Sequence, residues 1–403
     1  MRRSVTYVLL AVATVLLAAA AYFYFGIWPG LRPALAPVAL RAVPKKSLPR
    51  PLKPAINETG LPLTLPDGFR IQTFAAGIGN ARQLAFDPGG VLTVTLTGEG
   101  EVASLPDRDG NGQSEKVEVL LAGLNEPSGL AFHRGYLYVA ENDKISRFPY
   151  TASSAGPPTL GSAEKLADLP SGGEHFTRTV TFGGDGKMYI SVGSSSNTGP
   201  ETDPRRAAVL RFNDDGTGMT VFAGGLRNSV GLTWHPVTGQ LWGADNGRDY
   251  LGDDLPPDEI NVIRNGGDYG WPYAYGDMVV DPAYGDTTRA AASLPPVIQI
   301  QAHSAPLGLA FYTGNGFGPG YANNLFVTLH GSWNRSVPTG YKIIRFVMSG
   351  STYETPAAAQ DFITGWLTAG GAAGRPVAIV QGGDGALYIS DDKAGAVYRV
   401  SRI

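Results

Sequence analysis

Residues 178–192 read RTVTFGGDGKMYISV: a β-branched strand, a turn of Gly and Asp, then a second strand. The phrase returns as ARQLAFDPGGVLTVTL from Ala81, PSGLAFHRGYLYVA from Pro127 and SVGLTWHPVTGQLWGA from Ser229. It returns again as PLGLAFYTGNGF from Pro306 with NNLFVTL from Asn323, and as RPVAIVQGGDGALYISD from Arg375. Matching positions Ala85, Leu130, Val180, Leu232, Leu309 and Ala378 are separated by 45, 50, 52, 77 and 69 residues. Such spacings suit a four-stranded blade with loops inserted in the later copies. Further strand candidates follow the copies: EVASL from Glu101, KISRF from Lys144, AVLRF from Ala208, EINVI from Glu259, KIIRF from Lys342 and AVYRV from Ala396. Period-two patterning alone also suits a β-sandwich, but six copies of one phrase predict an all-β, six-bladed β-propeller. FRIQTF from Phe69 precedes the first copy and AVYRV ends the last. The N-terminal strand is therefore expected to complete the last blade and leave no open edge.

Composition agrees with many short strands and turns. The 403 residues include 54 glycines and 30 prolines, about a fifth of the chain and nearly twice ordinary usage. With 43% hydrophobic and 17% charged residues the chain buries a core and is not disordered. A net charge of -3 offers no basic footprint, so nucleic acid is not an expected partner. Zero cysteines exclude disulfides, thiolate nucleophiles, Cys-ligated zinc, iron-sulfur clusters and c-type haem attachment in this chain.

Val5–Trp28 carries no charge, and as a helix its 24 residues would span about 36 Å, more than the ~30 Å hydrocarbon core. Residues 1–28 are read as a signal-anchor, with a signal peptide cut near Ala18–Ala21 as the alternative. Arg32, Arg41, Lys45 and Lys46 outnumber Arg2 and Arg3, so flanking charge alone would not export the domain. Long domains translocate largely regardless of flanking charge, so a periplasmic or extracytoplasmic domain tethered to the inner membrane is expected. Nine prolines in 29–66 read as a semi-rigid linker, leaving 67–403 as the propeller.

Loops at one end of a propeller converge, which makes polar insertions between the copies the site candidates. GGEHFTRTVTF places His175 and Arg178 before an inner strand: a proton acceptor near neutral pKa and a fixed positive charge. GLRNSVGLTW places Arg227 and Asn228 before the next inner strand, and Asn246, Gly247 and Arg248 follow the strand after it. Asp249, Asp253, Asp254, Asp258 and Glu259 would draw a hard cation or simply keep a long loop soluble, the second reading being preferred for most of them. LHGSWNRS supplies His330, Trp333, Asn334 and Arg335, a stacking surface with an amide and a guanidinium. Arg227, Arg248, Arg335 and Arg375 recur at blade ends, as a polyanionic ligand held by bidentate pairs would require.

HFTRTVTFGGDGKMYISVGSSSN, RRAAVLRFNDDGTG, FAGGLRNSVGLTWHP, ADNGRDYLGDDLPPDEIN, GGDYGWPYAYG, HSAPLGLAFY, LHGSWNRS and GRPVAIVQGGDGALYISDD resemble the glucose and sorbosone dehydrogenase family, in its sorbosone or pyranose dehydrogenase branch, from about Pro66 to the end. The resemblance implies a propeller that binds pyrroloquinoline quinone with calcium, oxidises a sugar and passes electrons to an external acceptor. It makes His175 the general base, which accepts a sugar hydroxyl proton as hydride passes to the quinone. It puts Arg178, Arg227, Asn228, Arg248, Trp333, Asn334, Arg335 and Arg375 around the cofactor, with Arg227 also beside the reacting atoms. It gives calcium the backbone carbonyls of Gly247 and Arg248, although the soluble glucose enzymes have proline after that glycine. Those enzymes also carry a lysine near LHGSWNRS, for which His330 or Arg335 would substitute. With no haem motif, a cytochrome or a quinone must take the electrons.

Outside the channel, Asp107, Asp109, Asn111, Gly112 and Glu118 obey a twelve-residue calcium-loop pattern without flanking helices, so a tight polar turn is the competing reading. Two other functions remain open. One is a non-catalytic binding module of the same fold. The other is a calcium-dependent, lactonase-like hydrolase, which would need carboxylates on the channel floor where Arg and His are expected.

Overall fold

The computed structural model describes residues 2–27, 53–153 and 156–403. Six sheets, each with four antiparallel blade strands, follow one another as blades, their innermost strands being Ala81–Phe86, Gly129–His133, Val180–Phe182, Ser229–Trp234, Pro306–Phe311 and Pro376–Gln381. Each innermost strand packs against those of its neighbours, and the first packs against the last, which closes the ring. Phe69–Ala76 lies antiparallel to Ala396–Arg402, so the N-terminal strand completes the last blade as expected.

Alternation along these strands sends apolar side chains into wedges between adjacent blades. One wedge joins Phe74, Leu84, Val94 and Leu105 to Ala378, Tyr388 and Val397, and another joins Trp242 and Ile260 to Phe311 and Leu329. Near the axis the blades approach so closely that only glycine fits. A Cβ on Gly129 would lie 2.1 Å from the Arg178 carbonyl oxygen, and one on Gly231 would lie 2.1 Å from that of Leu307. Hydroxyls lace the same seam: Thr97 donates to Pro127 O at 2.7 Å, Thr179 to Val230 O at 2.5 Å and Thr328 to Val377 O at 2.5 Å.

Ahead of the ring, Arg2–Tyr22 is α-helical and Phe23–Ile27 forms a π turn. Among the described residues no helix is long and apolar enough to cross a membrane. Residues 28–52, most of the expected linker, lie outside the described residues. The remainder of that stretch belongs to the propeller. Ile56–Glu58 pairs parallel to Phe69–Ala76, and Leu63 and Leu65 are buried in the wedge beside the last blade. The prolines masked a period-two run of leucines, Leu61, Leu63 and Leu65, that packs on the blade flank.

Candidate active site

The first two strands of each blade are antiparallel, so the starts of the innermost strands and the ends of the second strands meet at one face of the ring. Loops at that face surround a cavity that opens to solvent. Among the residues expected at the site, His175, Arg227, Asn228, Gly247, His330, Trp333 and Asn334 line it.

His175 stands in the turn before Val180–Phe182. Its Nδ1 is 2.9 Å from both the carbonyl oxygen and the Oγ of Ser194. A carbonyl only accepts, so Nδ1 carries the hydrogen and Nε2 the lone pair. Nε2 has no protein hydrogen-bond partner among the described residues. Burial, reinforced by the Arg227 charge, pushes the imidazole down to about 3, so it stays neutral at ordinary pH. Gly193 makes the arrangement possible: a Cβ there would lie 2.6 Å from His175 Cβ and 2.6 Å from Asn228 Oδ1. The Asn228 side-chain amide makes no hydrogen bond among the described residues and lines the same cavity.

Arg227 lines the cavity but is not free. Its Nε donates to Asn197 O at 3.1 Å, and one terminal nitrogen donates to Asn246 O at 3.1 Å and Gly247 O at 2.8 Å. The other donates to Asn197 Oδ1 at 2.8 Å and Asp249 Oδ2 at 3.3 Å. All five N–H donors of the guanidinium therefore meet protein oxygens, which leaves none for the bidentate ligand contact expected of it.

Three other expected cations are turned away from the cavity. Arg178 is fully buried and donates to the carbonyls of Pro170, His175 and Thr177 at 2.5, 3.0 and 2.8 Å, so it braces the His175 turn. Arg248 grips Asp281 through both carboxylate oxygens at 2.9 and 2.7 Å, and Arg335 donates to Asp253 O and to Asp254 Oδ1. In each case acceptors elsewhere in the chain draw the terminal nitrogens away from the cavity, which blade-end position could not reveal. Arg375 holds Asp392 Oδ1 through Nε at 3.0 Å, stands 38% exposed and is not among the cavity-lining residues.

Among the described residues that line the cavity, Arg82 is the arginine that keeps uncommitted donors, and the sequence reading does not include it. It lines the cavity, rests over the Phe176 ring at 5.7 Å, and donates to Asp392 Oδ2 at 3.0 Å through one terminal nitrogen. Its other donors have no protein partner among the described residues. A signal existed: Arg82 precedes Ala85 by three residues, as Arg375 precedes Ala378, so the two share one repeat position. His330 completes this wall, with Nε2 3.0 Å from Asp392 Oδ2. Burial keeps the His330 pKa low. Burial opposes ionisation of Asp392 too, yet the His330 hydrogen bond together with Arg82 and Arg375 holds it at about 2. Asp392 is therefore an anion that aims Arg82 and His330.

Carboxylates line the cavity as well, contrary to the expectation of only Arg and His. Asp249 accepts from Asn334 Nδ2 at 2.5 Å, and Asp258 accepts from the N–H of Gly247 and of Ala305 at 2.9 Å each. Behind them Asp245 accepts from the N–H of Arg227 at 3.0 Å and of Asn228 at 2.7 Å. Burial raises Asp245 to about 6, Asp258 to about 7 and Glu259 to about 8. Loop solubility thus does not explain Asp249, Asp258 or Glu259. Trp333 stands at the mouth, 43% exposed, edge-on to Tyr250 at 5.9 Å.

The Asp107 loop lies elsewhere and closes on itself. Asp107 accepts from Gly112 N–H and Asp109 from Asn111 N–H, while Glu115 caps the N–H of Arg108 and Asp109. The acids that converge are Asp107, Asp109 and Glu115. Glu118, the expected twelfth ligand, instead meets Lys116 at 2.5 Å because it lies in the strand Glu118–Leu121.

Residues 164–399 match the family model for glucose/sorbosone dehydrogenase. An uncharacterised protein of Borreliella burgdorferi is 31% identical over 364 residues, covering 86% of this chain and 92% of that protein. A pyrroloquinoline quinone-dependent pyranose dehydrogenase of Coprinopsis cinerea is 26% identical over 413 residues, covering 85% of this chain, and the chain spans only 55% of that enzyme's length. The holo pyrroloquinoline quinone domain of Coprinopsis cinerea pyranose dehydrogenase superposes with a TM-score of 0.76 over 87% of this chain and all of that domain, at 23% identity. A calcium structure of a family AA12 enzyme from Trichoderma reesei superposes with a TM-score of 0.73 over 87% of this chain and all of that chain, at 21% identity.

Proposed function

The chain belongs to the glucose/sorbosone dehydrogenase family, and we propose that within it the protein oxidises a sugar with pyrroloquinoline quinone and calcium as cofactors. The observation that carries this reading is His175, a neutral imidazole fixed through Nδ1 by Ser194, with the Nε2 lone pair free in a cavity that holds uncommitted polar groups. Such a group accepts the proton of a sugar hydroxyl as the adjoining C–H is oxidised. The quinone supplies the two-electron acceptor, and calcium polarises it.

The residues present fit both groups. Arg82 retains donors for a cofactor carboxylate, with Asp392 and His330 holding the wall behind it. The Asn228 amide donates or accepts beside His175, and Trp333 offers a flat face at the mouth. The carbonyls of Gly247 and Arg248 would face the cation, that of Gly247 keeping a second lone pair beside its bond from Arg227. Burial keeps His175 unprotonated and the Arg227 guanidinium reinforces it, while also fixing the Gly247 turn, a positioning role.

Cavity carboxylates favour one rival, the calcium-dependent hydrolase. The purified protein, titrated with quinone and calcium, separates the two: an aldose and sorbosone panel should reduce a dye only when both are present. Hydrolysis of a lactone without quinone, and no dye reduction with it, would establish the rival. We further propose that a cytochrome or a quinone accepts the electrons outside the membrane, since no cysteine attaches a haem. Exposed Val15, Leu16, Leu17 and Phe25 support a tether through residues 5–28.

A further inference from the structure

Arg227 sits inside a cage of oxygens contributed largely by one short loop. Asn246 O, Gly247 O and Asp249 Oδ2 all converge on its guanidinium, at 3.1, 2.8 and 3.3 Å. The loop 246–249 is thus already wrapped around a positive centre. Carboxylates crowd this wall: Asp249 pairs with the Arg227 guanidinium, Asp245 accepts the Arg227 backbone N–H, and Asp258 accepts that of Gly247. Independently, Asn334 is 7% exposed and lines the cavity, and its Oδ1 is buried without any hydrogen-bond partner. Its amide orientation is set, because Nδ2 donates to Asp249 Oδ1 at 2.5 Å and a reversed amide would oppose two oxygens. A buried amide oxygen without a partner next to a cavity-lining carboxylate is a pair of oxygen donors of the kind a hard cation takes.

We propose that Asp249 and Asn334 are side-chain ligands of the cavity cation, adding a carboxylate and an amide oxygen to the Gly247 loop so that the chain binds Ca²⁺ before any quinone arrives. This rests on the reading of the site as a calcium site and extends it. A cation held by backbone carbonyls alone would draw most of its six to eight oxygen ligands from water or the quinone. A cation that also has Asp249 and Asn334 needs fewer ligands from outside. Binding there also gives Asn334 Oδ1 the partner it lacks.

The test is calorimetric Ca²⁺ titration of the quinone-free full chain, with Asp107→Asn/Asp109→Asn in every sample to silence the remote acidic loop. We expect saturable binding and a rise in melting temperature. Asp249→Asn should weaken binding at least tenfold, and Asn334→Leu should weaken it several-fold. Asn334→Asp is the variant that a purely structural role would not predict. It opposes two carboxylates, so it should melt lower without calcium and show a larger Ca²⁺-induced rise than the parent. Absence of Ca²⁺ binding without quinone, parental affinity in Asp249→Asn, or a Ca²⁺-induced rise in Asn334→Asp no larger than the parent's would overturn the proposal. If Ca²⁺ binds as expected but the quinone does not bind in its presence, the cation site stands and the dehydrogenase reading falls.

Discussion

At the scale of the residue, chemistry follows from what each polar atom already touches. His175 is fitted to the proposed role of base because Ser194 occupies Nδ1 and burial keeps the ring neutral, which leaves one lone pair on the cavity-lining imidazole. His175→Gln should therefore keep the fold and quinone affinity but lower sugar oxidation by roughly 10² to 10⁴, read as the rate of dye reduction at saturating quinone. An unchanged rate would pass the role to His330. The same environment has a pH signature. The unfolded chain protonates this histidine near ~6.5, the folded chain only near about 3, so the unfolded state binds the extra proton between those values. Stability should fall as pH drops through that window, and less steeply in His175→Gln, when melting temperatures of the two proteins are compared from pH 7 to pH 4. Arginine roles, by contrast, were poorly legible. Arg178, Arg227, Arg248 and Arg335 are the same residue type at comparable positions, yet acceptors 8 to 81 residues away in the chain decide where each guanidinium points.

At the scale of the element, the repeat phrase carries its own packing instructions. Its glycine, first in GLAF and GLTW, marks where one innermost strand touches the backbone of the next. Gly129→Ala should cost about 1–3 kcal/mol, because a backbone carbonyl 2.1 Å from the new Cβ has to move. Gly184→Ala, with nothing within 4 Å and no positive φ, should stay within about 0.5 kcal/mol. Denaturant midpoints at unchanged slope measure both. Equal losses at the two positions would show that chain entropy, not close approach, sets the effect. Strand identity was readable in six places because hydrophobic alternation is local. The short strand Ile56–Glu58 and the leucines after it were hidden among prolines, whose usual reading is a linker.

At the scale of the whole molecule, stability depends on closing the ring. Phe69–Ala76 covers the edge of Ala396–Arg402, and Ile56–Glu58 covers Phe69–Ala76 in turn. A chain that begins at residue 53 should melt like the parent. One that begins at residue 77 should lose cooperative unfolding and associate through the bared edge, as light scattering and calorimetry would show. Two intact, cooperative transitions would mean that the last blade closes without its outer strands. The sequence by itself determined the fold class, the blade count, the closing strand and one histidine that lines the cavity. Each of these rests on short-range alternation, on a repeated phrase, or on a residue type with one dominant chemistry. Only the tertiary structure decided which cations are free, that Arg82 faces the cavity, and that Asp249 and Asp258 line it. Those outcomes depend on which donors and acceptors from different blades come within about 3 Å of each other, a distance set by ring closure and by nothing local in the chain.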